Sequence, residues 1–165
     1  MTIRLAESAD LPAVLEIYNQ AIRVGQCTAH TSPLELQDMH EWFIEHSPEK
    51  YPVYVFHQEG VVLGFISASA YRPGRSALRY TAEISFYVDF AHHRKGIASR
   101  LLEHLLAQCS RLRLKNLFAI IMENNNNSVQ FLENFGFSQW AHLPRVADYE
   151  GIEIGQVYYG LRLDH

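Results

Sequence analysis

Apolar residues recur along this chain with two periods, near 2 and near 3.6, and the switches between them mark out its elements. Thr2 to Leu5 alternates as a short strand. Behind Ser8, a candidate cap, Leu11, Val14, Ile17 with Tyr18, and Ala21 with Ile22 then recur at helical spacing, with Pro12 tolerated in the first turn. Ser32-Pro33-Leu34-Glu35 has the form of a capping box with proline at the first helical position. It predicts a second helix that turns Met39, Trp42 and Phe43 to the core and stops before Pro48. Two extended runs, Val53 to His57 and Val61 to Tyr71, flank Gln58-Glu59-Gly60 and read as a hairpin. A further strand is expected from Leu78 to Val88, where Ala82, Ile84, Phe86 and Val88 alternate with Thr81, Glu83, Ser85 and Tyr87, so Glu83 points away from the more apolar face.

Beyond that strand Ile97, Leu101, Leu105 with Leu106, Cys109 and Leu112 form one side of a helix that covers a sheet. Leu117 to Met122 is a continuous apolar run suited to a buried strand. Glu123-Asn124-Asn125-Asn126-Asn127-Ser128 interrupts it, a short helix ends at Phe135-Gly136-Phe137, and the remainder, Gln156 to Leu163 above all, supplies one or two antiparallel strands. Hairpins first, a strand-helix-strand unit in the middle and strands at the end describe an α+β sheet covered by helices. No internal repeat is present. The length of 165 residues fits one domain, 1–165, with a substantial core.

The junction between the Thr81 strand and the following helix carries chemistry. His92-His93-Arg94-Lys95-Gly96-Ile97-Ala98-Ser99 brings two cations, a glycine and an alanine to a helix N-terminus. Small residues let a ligand approach the main chain, and the first helical turn leaves N–H groups without intrahelical partners at the positive end of the dipole. That combination suits a pyrophosphate. The spacing is neither Gly-x-x-x-x-Gly-Lys-Ser/Thr nor Gly-x-Gly-x-x-Gly, which argues against an NTPase and a dinucleotide dehydrogenase.

Composition narrows the partners. Hydrophobic residues make up 48% and charged residues 19%, an ordinary globular balance, and the formal charge of −4 argues against a broad nucleic-acid grip. Cys27 and Cys109 form no disulfide framework and no metal-ligand spacing, which fits a reducing compartment. No apolar run approaches the roughly 20 residues that span a bilayer, and the N-terminus lacks a signal-peptide core, so a cytoplasmic protein without membrane contact is expected. The nine histidines, at 30, 40, 46, 57, 92, 93, 104, 142 and 165, show no ligand-like pairing, so no metal is expected.

His93-Arg94-Lys95-Gly96-Ile97-Ala98 resembles the Gln/Arg-x-x-Gly-x-Gly/Ala acyl-CoA signature of the GNAT superfamily of N-acetyltransferases, with His93 where Gln or Arg is usual. Asn125-x-x-Ser128-x-x-Phe131-x-x-x-x-Gly136-Phe137 is similar to the same superfamily's Asn-x-x-Ala/Ser…Gly-Phe element, in the expected order. Each residue also has an ordinary structural role: Asn125 in a turn, Ser128 as a cap, Gly136 as a helix terminator and Phe137 in the core. Ile17-Tyr18-Asn19-Gln20-Ala21-Ile22, Thr81 to Val88, Ser128-Val129-Gln130-Phe131 and Leu143-Pro144 look most like the phosphinothricin and methionine-sulfone acetyltransferase group.

The resemblance implies a mixed, mostly antiparallel sheet with a splayed strand pair and acetyl transfer from acetyl-CoA to the amine of a small amino acid or analogue. It implies Glu83 as the general base, whose pKa partial desolvation would raise. Phe86, Tyr87 and Val88 are the expected main-chain contacts of the cosubstrate's pantetheine arm, with Tyr87 or Val88 donating to the oxyanion. His93, Arg94, Lys95, Gly96, Ile97, Ala98 and Ser99 cradle its pyrophosphate, with Asn125 and Ser128 nearby. Arg75 and Arg79 are candidates for a substrate carboxylate, ahead of Arg72, because guanidinium forks bind carboxylates bidentately. Asn19 is a candidate acceptor contact, with Trp42, Phe43 and Tyr71 as pocket walls, and His142 a proton carrier or surface residue. Many related enzymes place a proton-donating tyrosine where this chain has Leu132, so no general acid is assigned. Similar enzymes are often dimers, so a homodimer is among the expected assemblies. A protein or peptide N-acetyltransferase, and an acyl-CoA sensor without turnover, are the alternatives.

Overall fold

The computed structural model describes residues 1–164, so His165 lies outside the described residues. In chain order the elements are β1 (Thr2–Leu5), α1 (Leu11–Val24), α2 (Leu36–Ile44), β2 (Val53–Gln58), β3 (Val61–Ala70), β4 (Thr81–Val88), α3 (Ile97–Gln108), β5 (Asn116–Met122), α4 (Asn126–Asn134), β6 (Ser138–Tyr149) and β7 (Ile152–Arg162). The strands form one sheet in the order β1-β2-β3-β4-β5-β7-β6. Every neighbouring pair is antiparallel except β4 and β5, the pair that the crossover helix α3 connects. This is the mixed α+β arrangement expected from the pattern.

Helix starts differ from the sequence reading. A glutamate, not a serine, caps in both cases: Glu7 forms a reciprocal box with Asp10 ahead of a short turn, Ser8–Asp10, that leads into α1. Glu35 does the same with Asp38, so α2 begins at Leu36, beyond the Ser32-Pro33 segment. A carboxylate at these positions accepts backbone N–H groups as a hydroxyl would, with the helix dipole in its favour. Ser76–Leu78 is a single tight turn, so β4 starts at Thr81 instead of Leu78. Glu59 and Gly60 both have positive φ, at 51° and 83°, which is the twist-matching two-residue connection between β2 and β3.

Alternation along the strands separates two cores. Val53, Val55 and Phe65 meet Leu11, Val14, Ile17 and Met39 under α1 and α2, with Trp42 and Phe43 packed at the margin. On the opposite face Ile66, Ala82, Ile84, Leu117 and Ala119 meet Leu101, Leu102 and Leu105 of α3 and Leu132 of α4. Truncating any of the fully buried leucines to alanine would cost about 2–5 kcal/mol. Gly64 sets how closely α3 approaches: a Cβ there would lie 3.0 Å from Ile97 Cγ2 and 3.1 Å from the Tyr87 carbonyl oxygen.

The final third is more regular than its sequence suggests, with β6 and β7 running 12 and 11 residues. Register shifts between Gln139 and Ala141, and between Leu143 and Ala147, break the alternation of β6.

Candidate active site

β4 and β5 pair only at one end. Thr81, Ala82 and Glu83 face Asn116, Leu117 and Phe118, and the Asn116 side-chain amide donates to Thr81 Oγ1 at 3.1 Å. Past Glu83 the strands separate, with β5 remaining paired to β7. On its other side β4 is laddered to β3 throughout. Asp89 N donates to the Leu63 carbonyl (2.9 Å) and Tyr71 N to that of Thr81 (3.4 Å), which sets the odd-numbered β4 residues toward β3. By alternation Ile84, Phe86 and Val88 present their main-chain groups to the gap. Tyr87 is a correction to the sequence reading: its N–H and C=O belong to the β3 ladder opposite Phe65, so they are not free for an acyl group. The Val88 carbonyl accepts from His93 Nε2 at 2.9 Å, which leaves its N–H toward the gap.

The turn after β4 is pinned from α1. Gln20 Nε2 donates to Asp89 Oδ2 (3.0 Å), and Gln20 Oε1 accepts from Phe90 N (3.0 Å). Asp89 Oδ1 accepts from Ala91 N at 3.0 Å and from His92 Nδ1 at 2.8 Å, and the hydrogen bonds of Gln20 and then His92 hold its carboxyl below the usual carboxylate range. Arg94 and Gly96 both adopt left-handed backbone, with φ of 61° and 75°, and Gly96 caps α3. The first intrahelical bond runs from Arg100 N to the Gly96 carbonyl (3.1 Å), so the N–H groups of Ile97, Ala98 and Ser99 have no partner within the helix. Arg94 and Lys95 are exposed beside them. Ile97 is buried, so in this set it supplies main chain only.

Asn125 caps α4 by accepting Ser128 N at 3.2 Å. The same helix closes on Gly136 (φ 84°), with Phe137 N donating to the Leu132 carbonyl and Gly136 N to that of Glu133. Leu132 is completely buried among core side chains, so this position delivers no proton donor to a cleft. Phe131 packs on Phe86 with ring centroids 5.0 Å apart, on the α4 side of the gap.

Glu83 lies where the strands part. Ser69 stands across from it on β3 and Phe118 on β5, and Phe118 stacks on Tyr158 (5.6 Å) and meets the edge of Tyr71 (5.0 Å). Partial burial at this position pushes the Glu83 carboxyl above the usual range. Among the described residues no hydrogen bond or ion pair engages that carboxylate, so it is available to a ligand.

Next to this position the Tyr71 to Arg79 loop, with His46 and Ser69, bounds a cavity of about 640 Å³. Arg72, Arg75 and Arg79 all line it. Arg75 and Arg79 are both exposed, and the Arg79 guanidinium donates to the Ser76 carbonyl (2.7 Å) and stacks over the Tyr80 ring at 4.3 Å.

Two other candidates have structural partners. Asn19 has a structural role: its amide clasps the main chain of Leu34, donating to the carbonyl (3.0 Å) and accepting the N–H (2.9 Å). It pins the segment between α1 and α2. His142 Nε2 lies 2.6 Å from Glu123 Oε2, and Glu123 Oε1 accepts Gly155 N at 2.8 Å, an exposed link between β6 and the end of β5. Among the described residues no group of three or more His, Cys, Asp or Glu side chains gathers as a metal site, and no helix is long and apolar enough to cross a membrane.

Several organising residues were not singled out by sequence reasoning. Gln20 carried the signal of falling inside a matching segment, but its clamp on Asp89 joins residues 69 positions apart. The row Ser69, Glu83 and Phe118 appears only once strand order and register are known.

A strand pair open at one end beside a helix N-terminus with free donors is the arrangement that the sequence resemblance implies for an acyl-CoA-dependent acyltransferase. The acetyltransferase (GNAT) family matches residues 12–137, and the chain belongs to that family. It is similar to YwnH of Bacillus subtilis, provisionally named a phosphinothricin acetyltransferase, with 40% identity over 92% of each chain. The L-methionine sulfoximine/L-methionine sulfone acetyltransferase of Salmonella typhimurium is 32% identical over 99% of this chain and 95% of its own. A crystal structure of a GNAT superfamily phosphinothricin acetyltransferase from Sinorhizobium meliloti in complex with acetyl-CoA superposes with a TM-score of 0.90. It is 28% identical and covers 98% of this chain and 88% of its own. The chain is thus an acyl-CoA-dependent N-acetyltransferase, with acetyl-CoA as cosubstrate.

Proposed function

We propose that the enzyme acetylates the α-amine of a small amino acid or amino-acid analogue of the phosphinothricin or methionine-sulfone type, as a single domain working in the cytoplasm. The observation that carries this reading is the unpaired, desolvated Glu83 carboxylate at the mouth of the β4–β5 gap, one strand from a cavity lined by arginines. The names of the relatives point to the same acceptor class.

In this reading the free N–H groups of Ile97, Ala98 and Ser99, with Arg94 and Lys95, hold the pyrophosphate of acetyl-CoA, and Gly96 keeps the approach open. His93 and Asn125 with Ser128 shape the two sides of the path through the positions they fix, Val88 and the start of α4. The main-chain groups of Phe86 and Val88 receive the pantetheine arm and the thioester, and the Val88 N–H is the donor for the oxyanion. Arg75 takes the acceptor carboxylate, and Arg79, held by Tyr80 and Ser76, shapes the wall behind it. The carboxylate of Glu83 accepts the proton that the α-ammonium must lose before nitrogen can attack, and its raised pKa makes it a stronger base than an exposed glutamate. With Leu132 in the core, the thiolate leaves without an acid from α4.

Release of CoA from acetyl-CoA tests this reading against a panel of free amino acids, methionine sulfone, methionine sulfoximine, phosphinothricin, polyamines and short peptides. Turnover of the amino-acid analogues is expected. Turnover of peptides alone would overturn it.

A further inference from the structure

We propose that Ser69, with its hydroxyl oriented by His46, is a second acceptor for the substrate amine beside Glu83, so that the amine is held between a carboxylate and a serine lone pair. The inference rests on the acceptor-site reading above and deepens it. His46 Nδ1 lies 2.8 Å from the Trp42 carbonyl oxygen, and its Nε2 lies 3.1 Å from Ser69 Oγ. A carbonyl oxygen only accepts, so Nδ1 carries the hydrogen. In the neutral ring Nε2 is then bare, and Ser69 must donate to it.

The consequence is a serine with a fixed polarity. Its one hydrogen is spent on His46, and its oxygen turns lone pairs toward the cavity that both residues line. Ser69 is the direct cross-strand partner of Glu83, so the two side chains share a face with Cβ atoms about 4.5–5.5 Å apart. Where the Ser69 edge of the cavity meets Glu83 on the neighbouring strand, both groups are therefore acceptors. An ammonium or amine, with two or more hydrogens to donate, satisfies both acceptors at once; a hydroxyl has a single hydrogen to give and a carboxylate oxygen has none.

His46 is held for this task. Its ring packs on Trp42 with centroids 4.5 Å apart, and Trp42 in turn meets Phe65 at 6.1 Å. Burial lowers its pKa below the ordinary histidine value, against weaker raising effects of the Trp42 carbonyl and Glu45, so the ring is neutral at neutral pH. The other charged or titratable groups around it are Tyr51, Tyr71 and the three loop arginines, Arg72, Arg75 and Arg79, which line the same cavity, and Glu83 across the strand. Protonation of His46 would turn Nε2 into a donor, reverse the Ser69 hydroxyl and aim its hydrogen at the amine. His46 is thus a positioning residue, and Ser69 the group that touches substrate.

The test is steady-state kinetics with methionine sulfone and acetyl-CoA on wild type, Ser69→Ala, Ser69→Thr and His46→Leu, with melting temperatures measured alongside. Ser69→Ala is expected to raise the acceptor KM roughly 5- to 10-fold, the worth of about one hydrogen bond, while the acetyl-CoA KM stays unchanged. Ser69→Thr restores the hydroxyl and should return the acceptor KM to within about twofold of wild type. His46→Leu frees the Ser69 hydroxyl to rotate and should give an intermediate value. An acceptor KM unchanged in Ser69→Ala, or raised as much in Ser69→Thr, would overturn the inference while leaving the role of Glu83 intact. Failure of wild type to acetylate any free amino acid would overturn the acceptor-site reading, and this inference with it.

Discussion

Asn19→Ala separates a structural role from a substrate contact at a position where the residue type suggests the latter. The side chain is 7% exposed, and both of its hydrogen bonds go to the peptide of Leu34. Each such bond contributes about 1 kcal/mol net, and truncation also leaves the Leu34 N–H and C=O short of partners at about 1–3 kcal/mol each where water cannot reach. Partial hydration of the segment between α1 and α2 lowers that sum. A loss of roughly 2–4 kcal/mol in unfolding free energy is therefore expected. Urea unfolding followed by circular dichroism reads it as a lower midpoint with an unchanged slope. The refolded enzyme should keep its acceptor KM within about twofold at temperatures where it is folded. Stability within about 0.5 kcal/mol of wild type, with an acceptor KM raised tenfold, would refute the assignment and return Asn19 to the substrate.

Gly64→Val should disturb cosubstrate binding from a distance, because the new side chain meets Ile97 Cγ2 and the Tyr87 carbonyl and displaces the start of α3; the acetyl-CoA KM is expected to rise more than the acceptor KM. Arg75→Ala should raise the acceptor KM by about tenfold and leave that of acetyl-CoA unchanged, as measured by CoA release. Asp10 predicts an acid effect on stability. Its hydrogen bond to Arg4 holds the carboxyl below its ordinary value, so its stabilising effect is present above the unfolded pKa and fades as pH falls through the folded one. Melting temperatures should therefore drop less between pH 6 and pH 3 in Asp10→Asn than in wild type, starting from a lower value at about pH 6.

Long periodic elements were legible from residue pattern alone, because the faces of α1 and α3 and the run of β5 are dictated by burial. The Glu59-Gly60 turn and the Gly136 terminator were legible because positive φ restricts residue choice. Helix starts were misplaced where a glutamate replaced the expected serine. β6 was obscured by its two register shifts, which break the two-residue alternation.

The site divided along similar lines. Backbone donors at the start of α3 follow from local sequence, and so does the exposure of Arg94 and Lys95. Which β4 residues keep free main-chain groups does not: that depends on the phase of the β3 ladder, which assigns Tyr87 to β3 and leaves Phe86 and Val88 to the gap. The roles of Asn19, Gln20 and His46 depend on contacts 15, 69 and 23 residues away, beyond the reach of any local pattern.

The central claim is that Glu83 takes the proton of the acceptor amine. It is tested most directly by the pH dependence of kcat/KM for methionine sulfone in wild type and Glu83→Gln. Burial raises the Glu83 pKa, so wild-type activity should fall on the acid side as the carboxylate protonates. In Glu83→Gln that limb should be replaced by a slope set by the free amine alone, with activity reduced by about 10²–10⁴ near neutral pH and less above the amine pKa. A profile of unchanged shape and height would contradict the account.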